Sequence, residues 1–248
     1  MRILSIDSSL GTQLLLCDAE PGVSADGAPR PLEVLSSQAL QDSRRHAESL
    51  GPMLATALAA PSDGAPLDAV VAATGPAPFT GLRAGLVTAR ALSRARSIPA
   101  HGVPSLDAVA RLALDELTAE RGREVADAAT VLVSTDARRK EVYCAAYRAR
   151  GADDVEALSA PAVTTPLAAA ERLVGLGPDA VAAGSGCLLY PEIADGRPVL
   201  APASGSAEAQ VRIALARLAR GEELATEPLY LRLADVQMPA GRKRALAG

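Results

Sequence analysis

The sequence predicts an α/β fold made of two related halves, and three observations carry this prediction. Short apolar runs typical of strands alternate with segments whose apolar residues recur every three to four positions, as they do in helices. A strand ending in aspartate, a polar turn and a return strand occur at Arg2–Asp7 and 13–17, and again at Val131–Asp136 and 142–147. The hydrophilic stretch 119–127 separates the two units and is the predicted boundary.

The composition narrows the possible classes of function. The 248 residues are 49% apolar and 2% aromatic, with one Phe, four Tyr, no Trp and two His. So few rings argue against a base-stacking surface for single-stranded nucleic acid, and two histidines argue against a His-based metal cluster. We expect neither a membrane span nor a signal-peptide core. Three isolated cysteines indicate a cytoplasmic protein, and the net charge of −4 does not predict RNA binding by this chain alone.

In the first half, the segment 18–31 is predicted to be a loop or a ragged strand pair. A helix is predicted near 38–49, and Pro52 interrupts its pattern and starts a second helix. The continuous apolar run 67–73 predicts a strand covered on both faces, and a helix is expected from about 82 to 95. Ser105 is predicted to cap the next helix.

In the second half, Thr165 and Pro166 predict the start of a helix that ends at Gly175. A short strand is expected at 180–183. Ser206 is predicted to cap a final helix that ends at Gly221. The predicted units are an N-terminal subdomain over 1–118, a C-terminal subdomain over 128–233 whose last helix packs back, and a flexible tail over 234–248.

The loop 75–81 lies between a buried strand and a helix, a position that suits anion binding through free N–H groups. It matches neither a P-loop nor a dinucleotide-binding fingerprint. Pro76 and Pro78 remove two N–H donors and stiffen the chain. We interpret it as a structural loop, with a ligand or partner loop as the alternative.

Two aspartates, Asp7 and Asp136, hold matching positions at the ends of the repeated strands. Each could face a phosphate or a metal, or each could close an Asx-turn by accepting the N–H two residues on. Nucleophilic catalysis is not favoured, because 184–186 reads Gly-Ser-Gly rather than G-x-S-x-G. His46 is followed one turn later by Leu50, so a two-His helical metal site is missing.

Five segments, taken in order, resemble the bacterial TsaB (YeaZ) family over residues 1 to about 233. They are residues 3–9, 45–50, 74–86, 136–143 and 228–232. The most specific are Phe-Thr-Gly-x-Arg at 79–83 and Asp-Ala-Arg-Arg-x-Glu-Val-Tyr at 136–143. The chain departs from the family at Ala77 and Pro78, where the usual residues are Gly and Ser.

The resemblance implies an actin-like ATPase (ribonuclease H-like) duplication, with two related subdomains of mixed sheets flanked by helices. It implies a non-catalytic partner of the TsaD threonylcarbamoyltransferase, needed for threonylcarbamoyl transfer to adenosine 37 of tRNAs that read codons beginning with A. A TsaE-type ATPase joins the pair, and tRNA is bound only through the complex. We expect no catalytic residue, metal or cofactor in this chain, and a homodimer when it is alone.

In TsaD a pair of histidines four residues apart binds metal. His46 matches the first, and Leu50 replaces the second. The predicted partner surface consists of His46, Leu50, Met53, Leu54, Leu58, Arg83 and Leu86.

Two alternatives stay open. The chain could be an ATP-dependent phosphotransferase or a glycoprotease-like peptidase of the same fold, with Asp7 and Asp136 facing an interdomain cleft. The basic clusters, at 83–96 and 138–140, are either solvated surface charge or a contact for tRNA phosphates within a larger assembly.

Overall fold

Two mixed β-sheets form the framework of the computed structural model, which describes residues 1–20, 28–40, 46–60, 64–200 and 202–232, with backbone alone at 46 and 47. The first sheet consists of β1 (Arg2–Asp7), β2 (Thr12–Asp18), β3 (Glu33–Leu40), β4 (Ala69–Ala73) and β5 (Ala100–Val103). The second consists of β6 (Val131–Asp136), β7 (Val142–Ala149), β8 (Val155–Ala157), β9 (Ala162–Thr164), β10 (Val181–Ala183) and β11 (Val199–Leu200).

The two sheets have the same topology. Their strand orders are β3-β2-β1-β4-β5 and β8-β7-β6-β10-β11, with β9 also paired to β7. In each sheet the first two strands form an antiparallel hairpin, and the next strand pairs in parallel with the first. The predicted duplication of an α/β unit is therefore confirmed.

Helices cover both faces of each sheet. They are α1 (His46–Leu58), α2 (Phe79–Arg96), α3 (Ser105–Arg121), α4 (Arg123–Ala128), α5 (Pro166–Gly175), α6 (Ser185–Leu189) and α7 (Ala207–Ala219), with a 3-10 turn at Pro191–Ala194. One face of the first sheet packs on α1 and α2, and one face of the second packs on α5 and α6. Among the described residues, no helix is long and apolar enough to cross a membrane.

The last helix of each half packs on the sheet of the other half. Leu114 and Leu117 of α3 lie in one apolar cluster with Val131 of β6, whereas Val211 of α7 clusters with Ile3 of β1. Each fully buried leucine or isoleucine stabilises the fold by about 1.5–3 kcal/mol relative to an exposed one. The apolar core therefore ties the two halves together through exchanged helices.

A buried cluster of ion pairs joins these exchanged helices. Arg217 of α7 donates to Asp107 of α3 at 2.7 Å and to Asp154, in the turn between β7 and β8, at 2.9 Å. Arg220 also pairs with Asp154, whose side chain is fully buried. Burial raises the pKa of the Asp107 carboxyl, and the guanidinium of Arg217 opposes that rise.

A second group of pairs extends the cluster along the same helices. Arg212 of α7 donates to Asp153 at 2.9 Å and to Asp115 of α3 at 2.7 Å. Arg111, itself 3% exposed, donates to Asp115 and to two carbonyl oxygens of the 151–154 turn. Most of these guanidinium donors are bonded, which is what a buried charge requires.

The helix predicted near 38–49 is wrong over its first part. Residues 38–40 belong to β3, and Gln38 pairs with Leu14 of β2, so pairing along a sheet edge overrides the local helical pattern. The helix begins at His46. The predicted break at Pro52 is also wrong, because α1 continues through it to Leu58. Gly51 and Pro52 are exposed, while Leu50 and Ala57 anchor the helix on both sides of them.

One other helix start differs from prediction. The stretch 119–127, predicted to separate the two units, is formed by the end of α3 and by α4. Pro104 takes the N-cap position of α3, so Ser105 is the first helical residue and not the cap. The division into 1–118 and 128–233 stays a prediction. The tail 234–248 and residues 21–27 of the predicted 18–31 loop lie outside the described residues.

The helix starts predicted at Thr165 and Ser206 are confirmed. The Thr165 hydroxyl accepts from the N–H of Ala168 at the start of α5. The Ser206 hydroxyl accepts from the N–H of Ala209 at 3.0 Å at the start of α7. Each bond satisfies an N–H that the helix itself leaves free.

The buried ion cluster predicts a large difference between two conservative substitutions. Asp154→Asn removes a fully buried negative charge that Arg217 and Arg220 share, which leaves Arg217 paired with Asp107 and Arg220 with Glu222, and we expect it to lower the free energy of unfolding by about 3 kcal/mol. Glu156→Gln removes a pair with Arg148 whose two side chains are 47% and 55% exposed, and we expect a change of about 0–1 kcal/mol. Urea unfolding of both variants measures the difference. Equal midpoints would mean that the cluster does not hold the exchanged helices.

Candidate functional site

A cleft of about 570 Å³ opens between the two halves. Its walls are the turn after β1, the start of α2, the turn after β6, and α6. Leu10, Leu188 and Leu189 give it apolar walls, and Ser9 and Arg138 give it polar ones. The cleft therefore lies where the repeated strand–Asp–turn units of the two halves face each other.

Both carboxylate oxygens of Asp7 accept hydrogen bonds from other groups of the protein. Its Oδ1 accepts from the backbone N–H of Ser9 at 2.7 Å and from the Ser9 hydroxyl at 2.6 Å. Its Oδ2 accepts from the side-chain amide of Gln210 on α7 at 2.8 Å. The side chain is buried and does not line the cleft. The Asx-turn interpretation of Asp7 is confirmed.

Asp136 closes the equivalent turn in the second half. Its Oδ1 accepts from the N–H of Arg138 at 2.7 Å, and its Oδ2 pairs with the Arg138 guanidinium at 3.0 Å. Its own N–H donates to the Ser185 hydroxyl of α6 at 3.3 Å. Asp136 lines the cleft, but its carboxylate is already paired with a cation. The Asx-turn interpretation is confirmed here as well.

Ser8 fixes α2 against the end of β1. Its hydroxyl donates to the carbonyl of Gly81 at 2.7 Å and accepts from the N–H of Gly85 at 3.1 Å. A Cβ at Gly85 would clash with Ser8 Oγ, so glycine is required for this close approach. The same contact sets the distance between two walls of the cleft.

The loop 75–81 is held by bonds within the protein. Gly75 has a φ of 94° and its carbonyl accepts from the N–H of Ser105 at 2.7 Å. The carbonyl of Ala77 accepts from the hydroxyl of Tyr143, across in the second half, at 3.4 Å. Pro78 is the N-cap of α2 and supplies no side-chain cap. The loop therefore has a structural role, and only its end, from Pro78 to Gly81, lines the cleft.

An extended segment, residues 222–232, runs over the surface after α7, and we call it the strap. Its backbone bonds to Gly102 of β5 and to Thr74 after β4. Tyr230 stacks on Phe79 with ring centroids 4.9 Å apart, and Arg83 lies with its guanidinium 3.5 Å from the Phe79 centroid. Arg232 then pairs with Glu141 in the second half. The strap connects the two halves on the outside.

The turn between β6 and β7 has an unusual backbone, and we call residues 138–140 the basic turn. Arg138, Arg139 and Lys140 all have positive φ, at 64°, 55° and 60°. Each bulky residue in this conformation costs about 1 kcal/mol or more. The hydrogen bonds between Ala137 and Glu141, and between Glu141 and Arg138, close the turn. Such strain persists only where the surrounding structure imposes it.

Some residues of the predicted partner surface are buried in the structure, and others are exposed. Leu50 and Leu86 are 3% and 4% exposed and belong to the core of the first half. They face inward because Leu50 is on the sheet side of α1 and Leu86 lies one turn after Leu82 on the sheet side of α2. These two residues therefore present no surface in this chain.

The remaining members lie on or near the outside. Met53 and Leu54 are half-buried, Leu58 is 37% exposed and Arg83 is exposed. His46 begins α1, and its side chain lies outside the described part of the structure.

Sequence reasoning missed Val87, which is next to Leu86 and 64% exposed. Helical phase would have found it, since 82, 86 and 89 form the inward row of α2. The strap and the left-handed backbone of the basic turn were also missed. Within the residues that the structure describes, no group of three or more His, Cys, Asp or Glu is arranged to hold a metal ion.

Comparison with known proteins identifies the family. A family model described as "TsaD: tRNA N6-adenosine threonylcarbamoyltransferase" matches residues 33–183, more than half of the chain. The Escherichia coli (strain K12) protein named "tRNA threonylcarbamoyladenosine biosynthesis protein TsaB" is 30% identical over 201 residues, covering 76% of this chain and 81% of that protein. The chain belongs to the TsaB (YeaZ) family.

Solved structures agree with the TsaB (YeaZ) assignment. "YeaZ from Pseudomonas aeruginosa" is 25% identical and matches 93% of this chain and all of that one, with a TM-score of 0.68. A second structure, titled as a protein "with similarity to peptidase YEAZ from Pseudomonas aeruginosa", is 26% identical over 93% of this chain and 99% of that one, with a TM-score of 0.69. The fold is thus the actin-like, ribonuclease H-like duplication that the resemblance implied.

A more similar sequence comes from Mycobacterium tuberculosis (strain ATCC 25618 / H37Rv). Its "Uncharacterized protein Rv3421c" is 44% identical over 140 residues, which cover 56% of this chain. The matched region spans 60% of that relative's length.

The contact between Ser8 and α2 predicts opposite effects for two glycine substitutions. Gly85→Ala forces a methyl group against Ser8 Oγ, and we expect a loss of about 1–3 kcal/mol in the free energy of unfolding. Gly175→Ala places the same methyl in open space at the end of α5, and we expect a gain of about 0.5 kcal/mol. Thermal unfolding of both variants tests this. A Gly85→Ala variant as stable as the parent chain would contradict the contact.

Proposed function

We propose that this chain is a non-catalytic partner of a TsaD-type threonylcarbamoyltransferase. In this role it is required for threonylcarbamoyl transfer to adenosine 37 of tRNA. Membership of the TsaB (YeaZ) family is the observation that carries the proposal, because the E. coli relative is named for threonylcarbamoyladenosine biosynthesis. The catalytic chemistry then belongs to the partner, and this chain contributes surfaces.

The geometry of the cleft supports a role without turnover. A phosphotransferase of this fold needs carboxylates free to hold a divalent ion against the phosphates. Both oxygens of Asp7 accept hydrogen bonds from within the protein, and the carboxylate of Asp136 is paired with Arg138. Each aspartate would have to give up these bonds before it could bind a metal.

The outer side of α1 and α2 is the proposed partner surface. Met53, Leu54 and Leu58 on α1 place apolar atoms at the surface, and Val87 does so on α2. These two helices pack beside each other on the same face of the first sheet. An apolar centre with a charged edge, here provided by Arg83, is the composition expected of a protein interface.

The same surface is proposed to pair two copies of this chain when the TsaD-type partner is absent, around a two-fold axis. A TsaE-type ATPase is the proposed third component. tRNA is proposed to bind the assembly, in agreement with the net charge of −4 on this chain.

A negative charge introduced on the proposed surface should weaken the pairing. We expect Leu54→Glu and Val87→Glu each to weaken binding to the TsaD-type partner at least about tenfold, because each would bury an unpaired carboxylate. Val87 is 64% exposed, so this variant is expected to fold like the parent chain. Leu167→Glu is the matched control, since Leu167 is 68% exposed on α5 in the other half. Co-purification and calorimetry with the partner provide the measurement.

The surface would be misplaced if both variants folded normally and bound the partner as strongly as the Leu167→Glu control. Loss of binding in Val87→Glu alone would restrict the surface to α2.

A reconstituted reaction separates the partner role from the enzyme alternatives. We expect the isolated chain to turn over no ATP. We expect tRNA modification by a TsaD-type subunit, supplied with a TsaE-type ATPase and threonylcarbamoyl-AMP, to require this chain. ATP turnover by the chain alone that disappears in Asp7→Asn would overturn the proposal and favour the phosphotransferase. Modification at full rate without the chain would also overturn it.

A further inference from the structure

A hollow of about 530 Å³ lies on the outer side of the second half, and we call it the outer hollow. The end of α3 and one side of α4 form one wall, and the residues that lead into β10 and β11 form the other. It shares no lining residue with the cleft between the halves, and none of its lining residues belongs to α1 or α2. Its volume is within the range of small-molecule sites, about 300–1,000 Å³.

Apolar side chains line the bottom of the outer hollow. Leu117, Ala129 and Val181 belong to the apolar core around the second sheet and reach the surface here. Val125 of α4 lines the wall and is 45% exposed, so a branched apolar side chain is in contact with water beside the hollow. A ligand that covers these groups releases the water around them, which favours a ligand with an apolar body.

Four charged side chains surround this apolar floor. Arg121 and Glu124 lie on the side of α3 and α4, and Asp179 and Arg197 lie on the side of the second sheet. None of the four forms an ion pair with any residue that the structure describes. Two positive and two negative groups are thus available at one hollow, and their complement is a ligand that carries both charges.

One edge of the Arg197 guanidinium is fixed by the protein, and the other is free. Its Nη1 donates to the carbonyl oxygens of Leu173 and Gly177, at 3.0 and 2.7 Å. Its Nε and Nη2 have no hydrogen-bond partner among the described residues, and both are accessible. In the same protein Arg2 uses its Nε and Nη2 to hold both carboxylate oxygens of Asp18, at 3.0 and 2.7 Å. Arg197 therefore offers a fixed two-point site for a carboxylate.

We infer that the outer hollow binds a small zwitterion with an apolar body. The carboxylate of the ligand lies on the free edge of Arg197, its ammonium group lies between Glu124 and Asp179, and its apolar body covers the floor. Two sources share this chemistry. One is a free amino acid with a large apolar side chain, and the other is a short apolar peptide, whose two termini carry the same charges.

Ligands of other classes fit this lining less well. A phosphate would meet the two carboxylates, and an uncharged apolar ligand would cover the charged groups without pairing them. Within the part of the chain that the structure describes, the acids of the hollow belong to no group of three or more ligands that could hold a metal ion. A contact with another protein is the competing interpretation, and the test includes it.

Calorimetry with the full chain tests the site. The probes are L-leucine and the dipeptide leucyl-leucine, with 4-methylpentanoate and 3-methylbutylamine as analogues of leucine that lack the ammonium group or the carboxylate. We expect at least one zwitterion to bind with a Kd of about 1 mM or lower, and both analogues to bind at least about tenfold more weakly.

A pair of matched double variants tests the acidic side of the hollow. We expect Glu124→Gln with Asp179→Asn to weaken zwitterion binding at least about tenfold, because the ammonium group loses both carboxylates. Asp127→Asn with Glu171→Gln is the control, since these acids are also exposed but do not line the hollow. Arg197→Lys keeps the charge but loses the two-point edge, and we expect it to weaken binding by a similar factor. Thermal unfolding without ligand verifies that each variant folds.

Failure of both zwitterions to bind at about 10 mM would overturn the inference. An affinity for 4-methylpentanoate equal to that for L-leucine, or a Glu124→Gln and Asp179→Asn variant that binds like its control, would overturn it too. Binding of only L-leucine, or of only the dipeptide, would support it and identify the source. If neither zwitterion bound and Val125→Glu weakened binding of the TsaD-type partner, the hollow would be a protein contact instead.

Discussion

The buried ion cluster between α3, α7 and the turn at 151–154 is the constraint on which the rest of the molecule depends. Apolar packing alone would let α7 slide along the first sheet, but Arg212 and Arg217 pair with aspartates at fixed positions on α3 and on the second half. The angle between the two sheets is thereby set. Gln210, on the same helix, donates to the buried carboxylate of Asp7, so the cluster also positions the turn that follows β1.

The turns that follow the first strand of each half begin with the same hydrogen bond and then differ in exposure. In each, an aspartate at the end of the first strand accepts the N–H two residues on. In the first half the turn residues Asp7, Ser8 and Ser9 are buried, whereas in the second half the turn continues into the basic turn on the surface. Duplication therefore accounts for the shared fold of the two halves. The differences between their equivalent turns give the two halves different surfaces.

Features encoded by neighbouring residues could be predicted, and features that depend on distant contacts could not. The two hairpins, both Asx-turns and the caps at Thr165 and Ser206 follow from side chains close in sequence. The edge strand β3 could not be told from a helix, because pairing with β2 decides it. The inward position of Leu86 and the exposure of Val87 required the phase of α2. Neither the helix exchange nor the strap produces a periodic pattern of apolar residues in the sequence. The left-handed turn at 138–140 contains no glycine, so no residue type in it predicts a positive φ.

The exchange of the last helices has a consequence for the origin of the molecule. Each half gives its final helix to the other sheet, so two identical copies of one half could make the same contacts around a two-fold axis. Such an ancestor would be a domain-swapped homodimer, stable only above a threshold concentration. Fusion of two gene copies makes the association intramolecular and removes that threshold. Once fused, the halves are free to lose their symmetry, and an arginine-rich turn can arise on one side without being imposed on the other.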